Sequence, residues 1–284
     1  MGPGHSAELV AVRELARAAG GILMENLGDV GRIEQKAATE FVTDVDRMAE
    51  DMLLERLARL YPDDRVLAEE SGARESAGAA TGRTWYVDPL DGTTNYAHGH
   101  PFFAVSIACA DIDGLRVGAV YAPYIDELYL AERGRGAVLE RPAAGGADRR
   151  LGPLSAVPLE RALLATGFPY LRDETVDLNT GLVRDFLKAP CHGIRRGGSA
   201  ALDLAHVAAG TLDGFWEFHL RPWDSAAGTL IAREAGAVVT DVTGRGAAMH
   251  YENILAAAPG LHARMVALLG GRLPRREPAG KEAL

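Results

Sequence analysis

Cysteine is nearly missing: 284 residues hold only Cys109 and Cys191. Each sits among apolar or small neighbours, and neither has a Cys or His at metal-ligand spacing, although His192 follows Cys191 directly. A disulfide framework is excluded, a reducing compartment is implied, and both thiols read as structural. Long apolar runs are missing too. Nothing approaches the roughly 18 to 20 residues of a membrane-spanning helix, and the start lacks a charged-then-apolar secretory pattern. Met1, Gly2 and Ser6 formally fit an acylation pattern, but Pro3 follows the glycine and no polybasic stretch supports a single weak anchor. A cytoplasmic protein with no membrane partner is expected. Excess positive charge is the third absence: with a formal net charge of -9 there is no general basic surface for a phosphate backbone, and no direct nucleic-acid contact is expected. No internal repeat is present.

What remains is a chain long enough to bury a large core, as one α/β domain or two packed together. Apolar residues recur at helical spacing from Ser6 to about Asn26 (Leu9, Val12, Leu15, Ala16, Ile22) and again from about Asp46 to Leu60, ahead of Pro62. Val66 to Ala68 reads as a short strand ending at Glu69 and Glu70. Ser71 to Arg83, small and glycine-rich, reads as a mobile loop. Trp85 to Val87 form a buried strand with Asp88 at its carboxyl end. Phe103 to Ala110 and Leu115 to Tyr121 are strands joined by an Asp113-Gly114 turn, and Glu127 to Glu132 and Ala137 to Glu140 extend the meander. The Pro, Ala and Gly-rich piece 141–153 is the candidate domain junction, with a long hairpin loop as the alternative. Beyond it strands and helices alternate, the pattern of a layered α/β half. The division is 1–150, an α+β half with the antiparallel meander; 151–270, an α/β half; and 271–284, a tail expected to be disordered.

The chemistry concentrates at Asp88 and Asp91, which flank Pro89 and Leu90 and precede Gly92, Thr93 and Thr94. Two carboxylates this close repel each other unless a cation sits between them. A helix cap and turn is one reading, since Asp, Gly and Thr favour those positions. An EF-hand loop fails, because its third position would be Leu90 and its twelfth Gly99. An aspartyl-phosphate phosphatase would space its two acids two apart; these lie three apart. An oxygen-rich magnesium site, in which a hard cation uses a few carboxylates and shares a substrate phosphate, fits both chemistry and spacing.

These residues resemble a known family. Trp85 to Gly99, WYVDPLDGTTNYAHG, looks like the signature of the inositol monophosphatase family of lithium-sensitive, magnesium-dependent phosphatases. Trp223 to Val239, WDSAAGTLIAREAGAVV, resembles its second signature, and Glu69-Glu70-Ser71 matches a third element in the expected order. The resemblance runs from roughly Ala7 to Leu269. It implies a five-layer αβαβα sandwich of the inositol monophosphatase and fructose-1,6-bisphosphatase type, within the α+β or α/β class, and usually a homodimer.

By the same resemblance, Glu69, Asp88 and the carbonyl of Leu90 would hold a first magnesium, and Asp88, Asp91 and Asp224 a second. A third, weaker ion would lean on Glu69 and water. Most of these ligands fall in the N-terminal half. Glu69 and Thr93 would orient and deprotonate the attacking water, with Asp91 also in the catalytic set. Gly92 and Thr93 amides would bind phosphate, and Asp46 and Lys36 would support the site from behind. Either of Asp44 and Asp46 could equally cap the next helix, Asp224 could cap its own, and Lys36 could be a solvated surface residue. The alcohol would meet Asp91, Gly198, Ser199, Ala200, Glu217 and Asp224. Glu217, set among Phe215, Trp216 and Phe218, needs a polar partner if buried, and a sugar hydroxyl would supply one; a strand-end Glu facing solvent is the alternative.

Thr94-Asn95-Tyr96 follows the inositol branch, whereas relatives acting on 3′-phosphorylated nucleotides or histidinol phosphate usually carry Lys at the Thr94 position. Leu90 replaces the usual isoleucine, and His98 and His100 are expected to be exposed loop residues. The expected reaction is hydrolysis of a myo-inositol monophosphate. Fructose 1,6-bisphosphatase, or action on another sugar phosphate or histidinol phosphate, is the alternative within the chemistry. A protein-binding role in transcription complexes is the alternative outside it.

Overall fold

The computed structural model describes residues 5–29, 31, 33–37, 40–74, 81–141, 145, 148–169, 173–246 and 248–273, without the side chains of 33, 35–37, 40, 41, 73 and 74. Residues 274–284, most of the tail expected to be disordered, lie outside this set, as does the Lys36 side chain.

Among the described residues there are three sheets and seven α-helices. Helix α1 (Ala7–Glu25) is capped by Ser6, whose side chain accepts from the Leu9 amide. A hairpin unforeseen in the sequence follows, β1 (Ile33–Ala37) with β2 (Glu40–Thr43). Helix α2 (Asp44–Leu60) begins two residues earlier than its apolar pattern predicts, because Thr43 and Asp46 form a reciprocal capping box. An eight-stranded sheet contains β3 (Arg65–Ala68), β4 (Gly72–Arg74), β5 (Thr84–Asp91), β6 (Ala104–Asp111), β7 (Gly114–Ala122), β8 (Glu127–Glu132), β9 (Gly136–Glu140) and β10 (Arg149–Leu151), in the order β10-β9-β8-β7-β6-β5-β3-β4. Only the β3–β5 pairing is parallel.

Three expectations are corrected here. The stretch 71–83, expected to be a mobile loop, contains β4, which pairs antiparallel with β3, while its residues 75–80 lie outside the described set. Strand β5 does not end at Asp88 but runs to Asp91. The turn between β6 and β7 centres on Ile112 and Asp113, with Asp111 paired to Gly114.

The five-stranded sheet comprises β11 (Leu163–Thr166), β12 (Gly193–Arg195), β13 (Gly214–Glu217), β14 (Val238–Asp241) and β15 (Ile254–Ala257), ordered β12-β11-β13-β15-β14. Its helices are α4 (Glu174–Lys188), α5 (Ala200–Ala209), α6 (Pro222–Glu234) and α7 (His262–Gly270); a single turn, α3 (Thr93–Ala97), follows β5. Helices α1 and α2 cover one face of the large sheet. Helices α5 and α6 fill the space between the two sheets, and α4 and α7 cover the outer face of the small one. This is the five-layer αβαβα sandwich, with an apolar core at each level. Among the described residues no helix is long and apolar enough to cross a membrane. Cys109 is buried in β6 and Cys191 half-buried, both unbridged.

The central layer is held close by small residues. Nine of the ten residues of α5 are buried, so it presents no solvated face. A Cβ on Gly228 of α6 would stand 2.6 Å from Leu204 Cβ of α5, and one on Gly118 of β7 would stand 3.1 Å from the Ala227 backbone. Overpacking of this kind costs about 1–3 kcal/mol. Gly118→Val is therefore expected to lower the free energy of unfolding by an amount of that order, read as a lower denaturant midpoint by circular dichroism.

Candidate active site

The site forms where the carboxyl end of β5 meets the first turns of α5 and α6. Asp88 pairs with Ser106 and Asp91 with Ala104, so β5 carries two residues between its paired positions while β6 carries one. In a regular strand, residues three apart face opposite sides. The surplus residue restores parity, and both carboxylates face the same way. Pro89 suits the bulge because it has no N–H to leave unpaired, and Asp88 Oδ1 accepts the Leu90 amide at 2.9 Å. Gly92 then turns the chain with φ +98°; a Cβ there would meet the carbonyl oxygens of Phe102 at 3.0 Å and Gly198 at 3.2 Å. Only glycine fits that conformation and that gap.

A cavity of about 320 Å³ is lined by Glu69, Asp88, Leu90, Asp91, Gly92, Thr93, Gly198, Ala200, Glu217 and Asp224, residues 155 positions apart at their extremes. Ser199 is not in the wall. It is the N-cap of α5, buried, with its hydroxyl donating to Asp91 Oδ2 at 2.7 Å, and the Ala201 amide donates to the same oxygen at 2.7 Å. The N-terminus of a ten-residue helix thus points at a carboxylate, a favourable charge–dipole arrangement. Asp224 is at the third position of α6 rather than its cap, because Pro222 opens the helix; its Oδ2 accepts the Arg221 amide at 2.6 Å. Further bonds cross between the halves, from Asn95 Nδ2 to the Gly197 carbonyl at 3.0 Å and from Ser106 Oγ to the Trp223 carbonyl at 3.0 Å. Behind the wall lies Asp46, fully buried. Its Oδ2 accepts the Thr43 amide at 3.0 Å, and its Oδ1 accepts from Thr93 Oγ1 at 3.1 Å, so the residue that caps α2 also contacts Thr93.

The carboxyl groups hold protons unusually well. Asp88 is pushed well above the ordinary carboxylate range by burial, then by Glu69, Asp91 and Asp224. Asp224 is raised by burial and by Asp91. Burial lifts Asp91 to about 6 against the lowering effect of Ser199, the α5 amides and Arg196. Burial, Asp203 and Asp91 lift Glu217 to about 8. Crowded acids with raised pKa values in a cleft mark a candidate functional site. Among the described residues no three His, Cys, Asp or Glu side chains form a closed ligand cage. The donor set is nonetheless all hard oxygen, its repulsion is the kind a divalent cation relieves, and the chemistry fits magnesium.

Known proteins place the chain. The family model described as inositol monophosphatase family matches residues 6–271. The chain belongs to the inositol monophosphatase family. A Neisseria meningitidis serogroup B relative named putative Nus factor SuhB is 41% identical over 260 residues, covering 91% of this chain and 96% of that one. The extragenic suppressor protein SuhB of Bartonella henselae superposes with a TM-score of 0.85 at 38% identity, covering 94% of this chain and all of the other. The inositol monophosphatase of Anabaena superposes with a TM-score of 0.80 at 37% identity, covering 94% of this chain and 96% of its own.

Sequence reasoning missed part of this family cleft. Arg196, His219, Arg221, Trp223, Phe168 and Glu252 also line it. Arg196 had a signal, since two arginines stand immediately before Gly197-Gly198-Ser199. His219 had none: it adopts φ +61°, unusual for a residue other than glycine, at the end of β13. His98 and His100 are exposed, clear of the wall.

The raised carboxyls have a measurable consequence. Asp91 and Glu217 sit above their ordinary values of 3.8 and 4.5, at about 6 and about 8. The unfolded chain releases protons that the metal-free folded chain retains, so stability falls as pH rises through that window. With metal chelated, the melting temperature is expected to be several degrees lower at pH 8 than at pH 5, and excess magnesium to restore most of the loss. A chelated protein equally stable at both pH values contradicts the cluster's electrostatics.

Proposed function

We propose that the chain is a magnesium-dependent phosphomonoesterase acting on a myo-inositol monophosphate. The observation that carries this reading is the convergence of Glu69, Asp88, Asp91 and Asp224 with the Leu90 backbone on one cleft beside Gly92 and Thr93. Glu69, Asp88 and the Leu90 carbonyl would hold one ion, Asp88, Asp91 and Asp224 a second, and Glu69 with water a third. Bound there, magnesium supplies positive charge for the phosphoryl oxygens and lowers the pKa of water.

The chain's own groups do the rest. Thr93 Oγ1 lies 3.1 Å from both Asp46 Oδ1 and the Leu90 carbonyl. Its single proton is committed to that side, which leaves its lone pairs to accept from water. Glu69 takes one proton as water attacks phosphorus directly; the P–O ester bond breaks, the departing oxygen takes a proton from solvent water, and alcohol and phosphate are released with no covalent enzyme intermediate. Gly92 and Thr93 amides hold phosphate oxygens. Asp91, Asp224, Glu217 and the backbone of Gly198 and Ala200 meet the alcohol's hydroxyls, while Ser199, expected among them, acts from behind by holding Asp91. Glu217, kept neutral by its raised pKa, is able to donate as well as accept. Lithium inhibition and a homodimer belong to the same proposal.

Phosphate release from inositol, sugar, nucleotide and histidinol phosphates, with and without magnesium, tests it. Inositol 1-phosphate is expected to give the highest kcat/KM, and far faster turnover of fructose 1,6-bisphosphate or histidinol phosphate overturns the substrate assignment. Asp88→Asn is expected to lower kcat/KM by on the order of 10²–10³, the scale for losing one charge-stabilising group. At Gly167 an added Cβ would lie 2.0 Å from the Glu217 carboxyl. Gly167→Ala is expected to cost roughly tenfold in kcat/KM for inositol 1-phosphate, the scale of about one hydrogen bond.

A second reading is favoured by the name Nus factor carried by relatives 41% identical to this chain: a partner in transcription complexes. That name runs against the absence of nucleic-acid partners expected from net charge, so RNA belongs in its test. Full complementation of a cellular defect by Asp88→Asn, together with binding to RNA or transcription proteins, favours this reading over the enzymatic one.

A further inference from the structure

We propose that Glu50 is a positioning residue for Glu69, and through it for metal affinity, an inference that rests on the magnesium reading above. Glu50 lies in the middle of α2, buried at 3% exposure, outside the residues that line the cleft. Its two oxygens are each taken by a main-chain donor twenty or so residues away: Oε2 accepts the Glu70 amide at 2.8 Å, and Oε1 accepts the Ser71 amide at 2.8 Å.

These two amides fall where no sheet can use them. The parallel ladder of β3 and β5 ends with Ala68 paired to Val87, and the Glu69 amide makes the last bond, to the Val87 carbonyl at 3.1 Å. Strand β4 opens only at Gly72. Glu69 is therefore held on its N-terminal side by the strand that carries Asp88, and on its C-terminal side by Glu50. Burying a carboxylate is costly unless its oxygens are satisfied by good donors, and two short, charge-assisted bonds to consecutive amides meet that need while fixing the turn.

The same helix face holds the other half of the water-handling pair. Asp46 is four residues before Glu50, one helical turn away on the same side, and it contacts Thr93 Oγ1. Helix α2 thus sends two buried carboxylates into the loops after β3 and β5, one behind Glu69 and one behind Thr93. Their spacing along one rigid helix sets the distance between the two groups that handle the attacking water. Glu50 touches neither substrate nor metal and acts only through the main chain that follows Glu69, at the Glu70 and Ser71 amides.

The test uses the full chain, with magnesium binding measured by calorimetry beside phosphate release and thermal melting. In Glu50→Gln one oxygen becomes an NH2 group that faces an amide donor, so one grip is lost with shape conserved. The magnesium dissociation constant is expected to rise roughly tenfold, the scale for groups that orient metal ligands, with kcat at saturating magnesium within about twofold and the melting temperature lower by a few degrees, the effect of one unpaired buried amide. Glu50→Asp keeps the charge but shortens the reach and is expected to fall between, which decides the matter if the Gln variant does not fold. Unchanged magnesium affinity in the folded variants, or a fall in kcat that saturating magnesium does not repair, overturns the proposal. If the unaltered protein binds no magnesium, the functional reading fails instead.

Discussion

Between Asp88 and Asp91, strand β5 carries one residue more than β6 can pair, and that surplus turns two carboxylates toward the same cleft. Everything near the site answers to the repulsion this creates. Burial and neighbouring acids raise the proton affinity of Asp88, Asp91 and Asp224, so the fold must supply donors or positive charge to keep them in place. It does so with backbone amides: Leu90 to Asp88, Ala201 to Asp91 and Arg221 to Asp224. Main-chain donors have less freedom than side chains, so the carboxylates are held in position at small conformational cost.

Two of those donors, Ala201 and Arg221, come from helix N-termini, and this explains the middle layer. Helices α5 and α6 are wedged between the two sheets with their first turns at the cleft, and the close approach of α5 to α6 at Gly228 and of α6 to β7 at Gly118 leaves little room to shift. Packing energy is thereby converted into positional accuracy at Asp91 and Asp224. On the opposite face α2 plays the matching part, with Asp46 and Glu50 reaching through the end of the sheet to Thr93 and to the turn after Glu69.

Much of this was legible beforehand, because the features concerned are local. Helical periodicity located α1 and α2, and strand alternation located the meander from β6 to β9. The pattern Asp88-Pro89-Leu90-Asp91-Gly92-Thr93 pointed to the chemistry by residue type and spacing. The hairpin β1–β2 and strand β4 were not legible, since short strands with small or charged side chains depend on pairing rather than on their own pattern. The extension of β5 past Asp88 was hidden because a Pro inside a run argues against a strand, and only the partner strand β6 shows that a bulge accommodates it.

The sequence by itself determined the family and, through that resemblance, the layered architecture, because signature residues and their spacing survive without coordinates. Tertiary structure alone decided that Asp224 meets Asp91, that Ser199 turns to Asp91 instead of lining the cavity, and that Arg196 and His219 stand at its wall. Such contacts join residues separated by 20 to more than 100 positions, and their geometry follows from sheet order, a bulge and helix packing, none of which is encoded in any single stretch of chain.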